Sequence, residues 1–235
     1  MEKLKIYIIC NKEYEKERYE HSIEQLKKIN KSKIDIEYFD HIWGHDITDE
    51  IYKKYCKSDK SMRKHKRLMS IKPLTRGEVS LVLNNIECLK KIRKMGKKEY
   101  YLILESDYIL LDNFEEKIID LLKFIDNQKI NFDIINIGKG NRPLQKREYE
   151  IDEIHKINNN LEIKRARLNC YAEALLWNKE SIDRFLNYYE KEEDIDGPWD
   201  TILDENQIDN WRLFWLEPYI ISQGSINGQF ISTIH

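Results

Sequence analysis

Three residues in the middle of the chain, Glu105-Ser106-Asp107, have the types and spacing for ligand chemistry. They follow Tyr100–Leu104, a short apolar run that reads as a strand. Residues i and i+2 of a strand point to the same side, so both carboxylates can face one small volume. Open α/β sheets bind ligands outside the carboxyl ends of their strands, which is where this triplet falls. Two carboxylates that close repel each other unless something positive sits between them. A hard divalent cation with oxygen ligands is the natural partner, and such a cation can hold a diphosphate. Taken alone, the triplet reads as an ordinary acidic turn, because acid-x-acid triplets are common by chance. Its surroundings decide between the two.

The elements that must position it are legible in the first half of the chain. Leu4–Cys10 is nearly continuous in apolar residues, as suits a strand buried on both faces. Tyr19, Ile23, Leu26 and Ile29 recur at helical spacing within residues 13–30. Ile34–Phe39 reads as a second strand, Trp43-Gly44-His45-Asp46 as a turn, and residues 49–56 as a short helix. Thr75-Arg76-Gly77-Glu78 is a capping box that opens a helix with Val79, Val82, Leu83, Ile86, Leu89 and Ile92 on one face. Gly96 is its natural stop. Another helix begins near Asp112 and Glu115, and Phe132–Ile137 reads as a strand. Strands and helices alternating in this way predict an α/β fold with a mostly parallel central sheet flanked by helices.

The second half is less regular. Residues 141–160 are polar and read as a long loop or insertion. Residues 161–177 read as one or two strands, Ser181–Tyr189 and Trp199–Asn206 as short helices, and Arg212–Leu216 as a strand. No repeat or linker is visible, so residues 1–235 are expected to form one domain. Residues 1–140 would be its ligand-binding half and 141–235 an embellished second half.

Composition narrows the function classes. The 40 Lys+Arg against 42 Asp+Glu give a net charge of −2, which argues against a dedicated nucleic-acid binder. The basic run Lys60–Arg67 reads as a solvated loop or as a flap near a phosphate group. Cys10, Cys56, Cys88 and Cys170 are too scattered for a C-x-x-C motif and read as reduced thiols. No run approaches the ~20 apolar residues of a membrane span. The N-terminus leads into too few apolar residues for a signal peptide, so a soluble cytoplasmic protein is expected.

Several segments, in order, resemble glycosyltransferase family 25, the lipopolysaccharide and collagen-type glycosyltransferases. Ile6–Ile9 with Asn11 and Arg18 looks like that family's opening strand and Arg-containing turn. Leu74–Val79 looks like its L-x-x-G-E-I helix entry, and Leu102–Asp107 like its L-I-L-E-D-D. Phe132–Gly138 is similar to its W-D-L-V-x-L-G, and Ala172–Trp177 with Lys179 and Phe185 to its small-aromatic strand and helix. Pro198-Trp199-Asp200 looks like its P-V-D, and Pro218–Gln223 with Ser232 like its closing motif. The sequence departs from the pattern at Ser106, where the family has Asp, and at Asn84-Asn85, where it has Ser-His. Asn cannot titrate near neutral pH, so any acid–base role of that His is absent.

The resemblance implies a GT-A, Rossmann-like nucleotide-sugar fold and an inverting hexosyltransferase using a UDP-sugar, with galactose or glucose as the hexose. The acceptor would be a glycan, a lipid-linked sugar or a hydroxylated protein side chain. Mn²⁺ or Mg²⁺ would be held by Asp107 and Glu105, with the terminal His235 as a further ligand. Asn11, Arg76 and Glu78 would meet or brace the donor, although the capping box already accounts for Glu78. Asp200 is the candidate base for the acceptor hydroxyl, with Asp204 as the fallback. Among the tryptophans, Trp199 is the one expected near a sugar. Two other readings compete: a degenerate member that binds without turnover, motivated by Ser106 and Asn84-Asn85, and an unrelated metal-dependent phosphoesterase.

Overall fold

A computed structural model describes residues 4–30, 34–56, 73–139, 150–167, 172–192, 195, 197–203 and 210–231. Its strands are β1 (Leu4–Ile9), β2 (Asp35–Phe39), β3 (Tyr100–Glu105), β4 (Tyr108–Leu110), β5 (Ile134–Asn136), β6 (Glu150–Asn158), β7 (Leu161–Ala166), β8 (Ala174–Asn178), β9 (Leu213–Glu217) and β10 (Ile221–Gln223). Its helices are α1 (Lys16–Leu26), α2 (Asp49–Tyr55), α3 (Arg76–Met95), α4 (Phe114–Gln128), α5 (Lys179–Glu192) and α6 (Trp199–Ile202).

An eight-stranded sheet of order β2-β1-β3-β8-β5-β9-β7-β6 forms the centre. From the pairings, β2, β1, β3, β5, β9 and β6 run one way, while β8 and β7 are reversed. The expected mostly parallel sheet flanked by helices is present. Strand alternation divides its side chains between two cores. Tyr7, Ile9, Tyr101, Ile103, Leu175, Trp177, Leu213 and Trp215 face the layer that holds α3, α5 and α6. Leu4, Ile6, Ile8, Leu102, Leu104, Leu176, Phe214 and Leu216 face the layer that holds α4 and the end of α1. Burial on both faces is why these strands read as continuous apolar runs.

Residues 150–158, expected within a polar loop, instead form β6 at the sheet edge, antiparallel to β7. An edge strand tolerates charge on its open side, and from Glu153 to Asn158 burial alternates residue by residue. The basic run 60–67, Cys170, Asp204 and His235 lie outside the described residues. Two short strands were not legible at all. β4 and β10 pair antiparallel in a separate ribbon, with Tyr108 opposite Gln223. That ribbon carries the end of the chain back to the carboxyl end of β3.

Candidate functional site

A cleft of about 580 Å³, counting its open mouth, lies at the carboxyl ends of β1 and β3. Its two walls are each tied together internally. The first consists of the β3–β4 elbow, the entry to α1 and the segment after β10. The second consists of the start of α3 and the segment that follows β2.

On the first wall, β3 ends at Glu105, and Ser106 and Asp107 turn the chain into β4. The two carboxylates therefore reach the same cleft through an elbow rather than along one continuous strand. Gln223 Nε2–H donates to Glu105 Oε2 at 3.1 Å. The Ser225 N–H donates to Asp107 Oδ2 at 3.0 Å, and the Gly224 N–H to the Asp107 carbonyl at 2.7 Å. Asp107 is buried, and its Oδ1 has no hydrogen-bond partner among the described residues. Ser106 Oγ–H donates to Glu15 Oε1 at 2.8 Å and accepts from Arg18 Nη1 at 3.1 Å. Arg18 also donates to the Ile231 carbonyl at 2.5 Å. Ser106 is thus the joint between α1, the elbow and the final segment.

The charge balance on this wall is negative. Withdrawal from water raises the Glu105 carboxyl well above its ordinary range. Asp107, Glu173 and Asp200 push it further in the same direction, and Arg18 opposes them. Glu173 is fully buried, and its carbonyl accepts the Glu105 N–H at 3.0 Å. Its carboxylate packs onto Gly138, where a Cβ would come within 2.4 Å of Glu173 Oε1. Nothing larger than glycine fits there without displacing an acid of the site. Burial likewise raises the Glu15 carboxyl, against the hydrogen bond from Ser106 and the charge of Arg18.

On the second wall, buried Asn84 of α3 fastens the chain after β2. Its Oδ1 accepts the His41 N–H at 2.7 Å, and its Nδ2 donates to the Ile42 carbonyl at 2.5 Å. Ser80 Oγ–H donates to that same carbonyl at 2.8 Å. Gly44 presses on Gly77, where a Cβ would stand 3.2 Å from the Gly77 Cα. This packing sets Trp43 and Gly44 against the first turns of α3.

Of the residues singled out by sequence, Glu105 and Asp107 line the cleft. Asp200, at the start of α6, does not line the cleft but lies close enough to act on the charge of Glu105. Asn11, Arg76 and Glu78 are engaged nearby but do not line the cleft. Asn11 Nδ2 donates to Asp40 at 2.9 Å, while its Oδ1 accepts from the Glu13 and Tyr14 amides that lead into α1. Arg76 pairs with Asp49 on the surface. Glu78 closes the capping box through the Thr75 N–H at 2.6 Å. The expectation for Trp199 is corrected. It is 1% exposed and stacks on Trp177 at 6.4 Å between ring centroids, which makes it core. Sequence reasoning missed Trp43, Glu15, Glu173 and Ser225 as site residues. Only the turn signal at Trp43-Gly44 hinted at any of them.

A divalent cation fits the first wall in one respect: Asp107 offers a buried carboxylate oxygen that nothing else among the described residues satisfies. Among the described residues, no group of three or more His, Cys, Asp or Glu side chains could hold a metal by itself. Any ion at Glu105 and Asp107 would therefore complete its shell with water and ligand oxygens, as Mg²⁺-type ions bound beside phosphates do.

Fold and site together define a mixed α/β protein with an acid-floored cleft at the carboxyl ends of its strands. No protein-family model matches the chain, and no curated protein matches it in sequence. Among solved structures it is similar to the crystal structure of mannose-1-phosphate geranyltransferase from Thermus thermophilus. The identity is 10%, over 92% of this chain and 73% of that one, with a TM-score of 0.39. Among the described residues, no helix is long and apolar enough to cross a membrane.

Proposed function

We propose that the protein is a metal-dependent glycosyltransferase of the GT-A type, moving a hexose from a nucleoside diphosphate sugar to a hydroxyl acceptor. The observation that carries this reading is the pair Glu105 and Asp107 on one wall of the cleft, with Asp107 Oδ1 buried and without a hydrogen-bond partner among the described residues. A buried carboxylate in that condition costs stability unless a cation or a donor arrives with the ligand. The ordered family 25 motifs support uridine as the nucleoside and inversion as the stereochemical course.

Mn²⁺ or Mg²⁺ held by Asp107 and Glu105 would neutralise the charge that develops on the leaving diphosphate. The chain's own residues supply the remaining steps. Asp200 accepts the proton of the acceptor hydroxyl. The acceptor oxygen then bonds to the anomeric carbon as the bond from that carbon to the diphosphate oxygen breaks. Trp199 anchors the start of α6 in the core, and Thr201 Oγ–H donates to Asp200 Oδ1 at 3.3 Å. These contacts hold the base in place. Ser106 is compatible with activity in this scheme, because its hydroxyl braces the elbow between Glu15 and Arg18.

Hydrolysis and transfer assays with UDP-galactose and UDP-glucose, with and without Mn²⁺, test the proposal. Asp107→Asn is expected to lose at least about 100-fold in metal-dependent turnover while remaining folded, the scale of losing one electrostatic stabiliser of a transition state. UDP binding without turnover on any donor would favour the alternative of a binding protein. Absence of both turnover and metal-dependent UDP binding would remove the reading altogether.

A further inference from the structure

The two walls of the cleft differ in chemistry. One carries Glu105, Asp107, Glu15 and Arg18, all charged or chargeable. The other presents Trp43, Gly44, Gly77, Ser80 and Leu81, none of which is charged. A ligand that fits both has a charged end and a flat, uncharged end. Trp43 is the one tryptophan in a position to meet the flat end. The other four, Trp177, Trp199, Trp211 and Trp215, are each less than 2% exposed and belong to the core. Trp43 is half-buried and lines the cleft.

Its mounting is rigid. Asn84 holds the two residues before it by both ends of its amide, Ser80 adds a second bond to Ile42, and the Asp46 N–H donates to the Trp43 carbonyl at 2.8 Å. A segment fastened before the ligand arrives loses little backbone freedom on binding, which favours affinity. Gly44 and Gly77 line the same wall and add no side chain to it. We propose that Trp43 is the platform for the base of a nucleoside diphosphate, placing the base on the uncharged wall and the phosphates on the acidic, cation-binding wall. This assignment rests on the donor reading above and adds which wall takes the base. It also gives Asn84 a part in the site as a positioning residue that fastens the segment carrying Trp43.

Two probes separate this assignment from the reading beneath it: UDP, which has a base, and inorganic pyrophosphate, which has none. Both are titrated by calorimetry in the presence of Mn²⁺ into wild type, Trp43→Ala and Trp43→Phe, and thermal melting verifies that each variant is folded. Stacking of a base on an aromatic ring is worth enough that Trp43→Ala should weaken UDP roughly ten- to hundredfold. Trp43→Phe, which keeps an aromatic face, should lose less, and pyrophosphate should bind all three proteins alike. Intrinsic fluorescence gives a second readout. UDP should quench wild-type emission and leave that of Trp43→Phe, with only its core tryptophans, unchanged. UDP affinity equal in wild type and Trp43→Ala would overturn the assignment, as would an equal loss for UDP and pyrophosphate. If pyrophosphate binds wild type with Mn²⁺ and UDP binds no tighter, the assignment falls while the diphosphate site stands. If neither probe binds wild type, both fall together.

Discussion

Glu105 is held by its surroundings in a state that costs the empty protein stability. Its carboxyl is pulled from water and faces Asp107, Glu173 and Asp200, with Arg18 as the opposing charge, so its folded-state pKa stands well above the ordinary value of 4.5. A carboxyl whose pKa is raised by folding binds its proton more tightly in the native state than in the unfolded one. Stability then falls as pH rises from about 4.5 through the raised native value, and the deficit persists above it. Glu105→Gln, measured without divalent cations, is therefore expected to melt at a higher temperature than wild type at pH 7. Below pH ~4.5 both states of the wild-type carboxyl are protonated, and the two melting curves should converge. A gap that stays constant down to pH 4 would assign the effect to packing instead. Such local cost at a binding site is consistent with a group arranged for a ligand rather than for the empty fold.

Helix α3 is the element on which the second wall depends, and its N-terminus was legible from Thr75 and Glu78 because a capping box is a local, four-residue pattern. The clamp made by Asn84 was not legible, since its partners His41 and Ile42 lie more than forty residues away. The same physics hid Ser225, which reaches Asp107 only because β4 and β10 pair across the chain, and hid the partner of Gln223, which the closing motif named without placing it beside Glu105. It also hid β6, whose edge position lets its sequence look like a loop. By contrast, the apolar faces of β1, β3 and α3 were readable because burial imposes a period on the sequence. Asn84→Ala should leave the His41 N–H unpaired and cost about 1–3 kcal/mol in urea unfolding. An unchanged midpoint would mean that water replaces the clamp. A second inter-element tie is Glu37 of β2, between Lys5 of β1 and Lys91 of α3. Burial raises its carboxyl, but the hydrogen bonds from Lys5 and Lys91 outweigh burial and hold it below the ordinary range. The stability it contributes is present above pH ~4.5 and is lost as pH falls through the depressed native value. Because all three side chains are partly exposed, Glu37→Gln should cost no more than about 1 kcal/mol at pH 7, and nothing at pH 2.

At the scale of the whole molecule, one sheet separates two apolar layers, and the cleft opens where the sheet ends. The cleft joins parts of the chain that are far apart in sequence: the entry to α1, the elbow after β3, the start of α3 and the segment after β10. A ligand that spans both walls must therefore report on global stability, because unfolding anywhere in this set destroys its site. UDP with Mn²⁺ at one hundred times its dissociation constant should add about 2.7 kcal/mol to the unfolding free energy. For a chain of this size that amounts to roughly 5–10 °C in melting temperature. Mn²⁺ alone should give a smaller shift, by satisfying Asp107 Oδ1 and separating the carboxylates of Glu105 and Asp107, and Asp107→Asn should abolish it. UDP alone should also shift the melt less than the pair, because the phosphates would then meet the acidic wall without a cation between them. Additive, independent shifts from the two would mean that they occupy separate places, and the cleft would not be a single donor site.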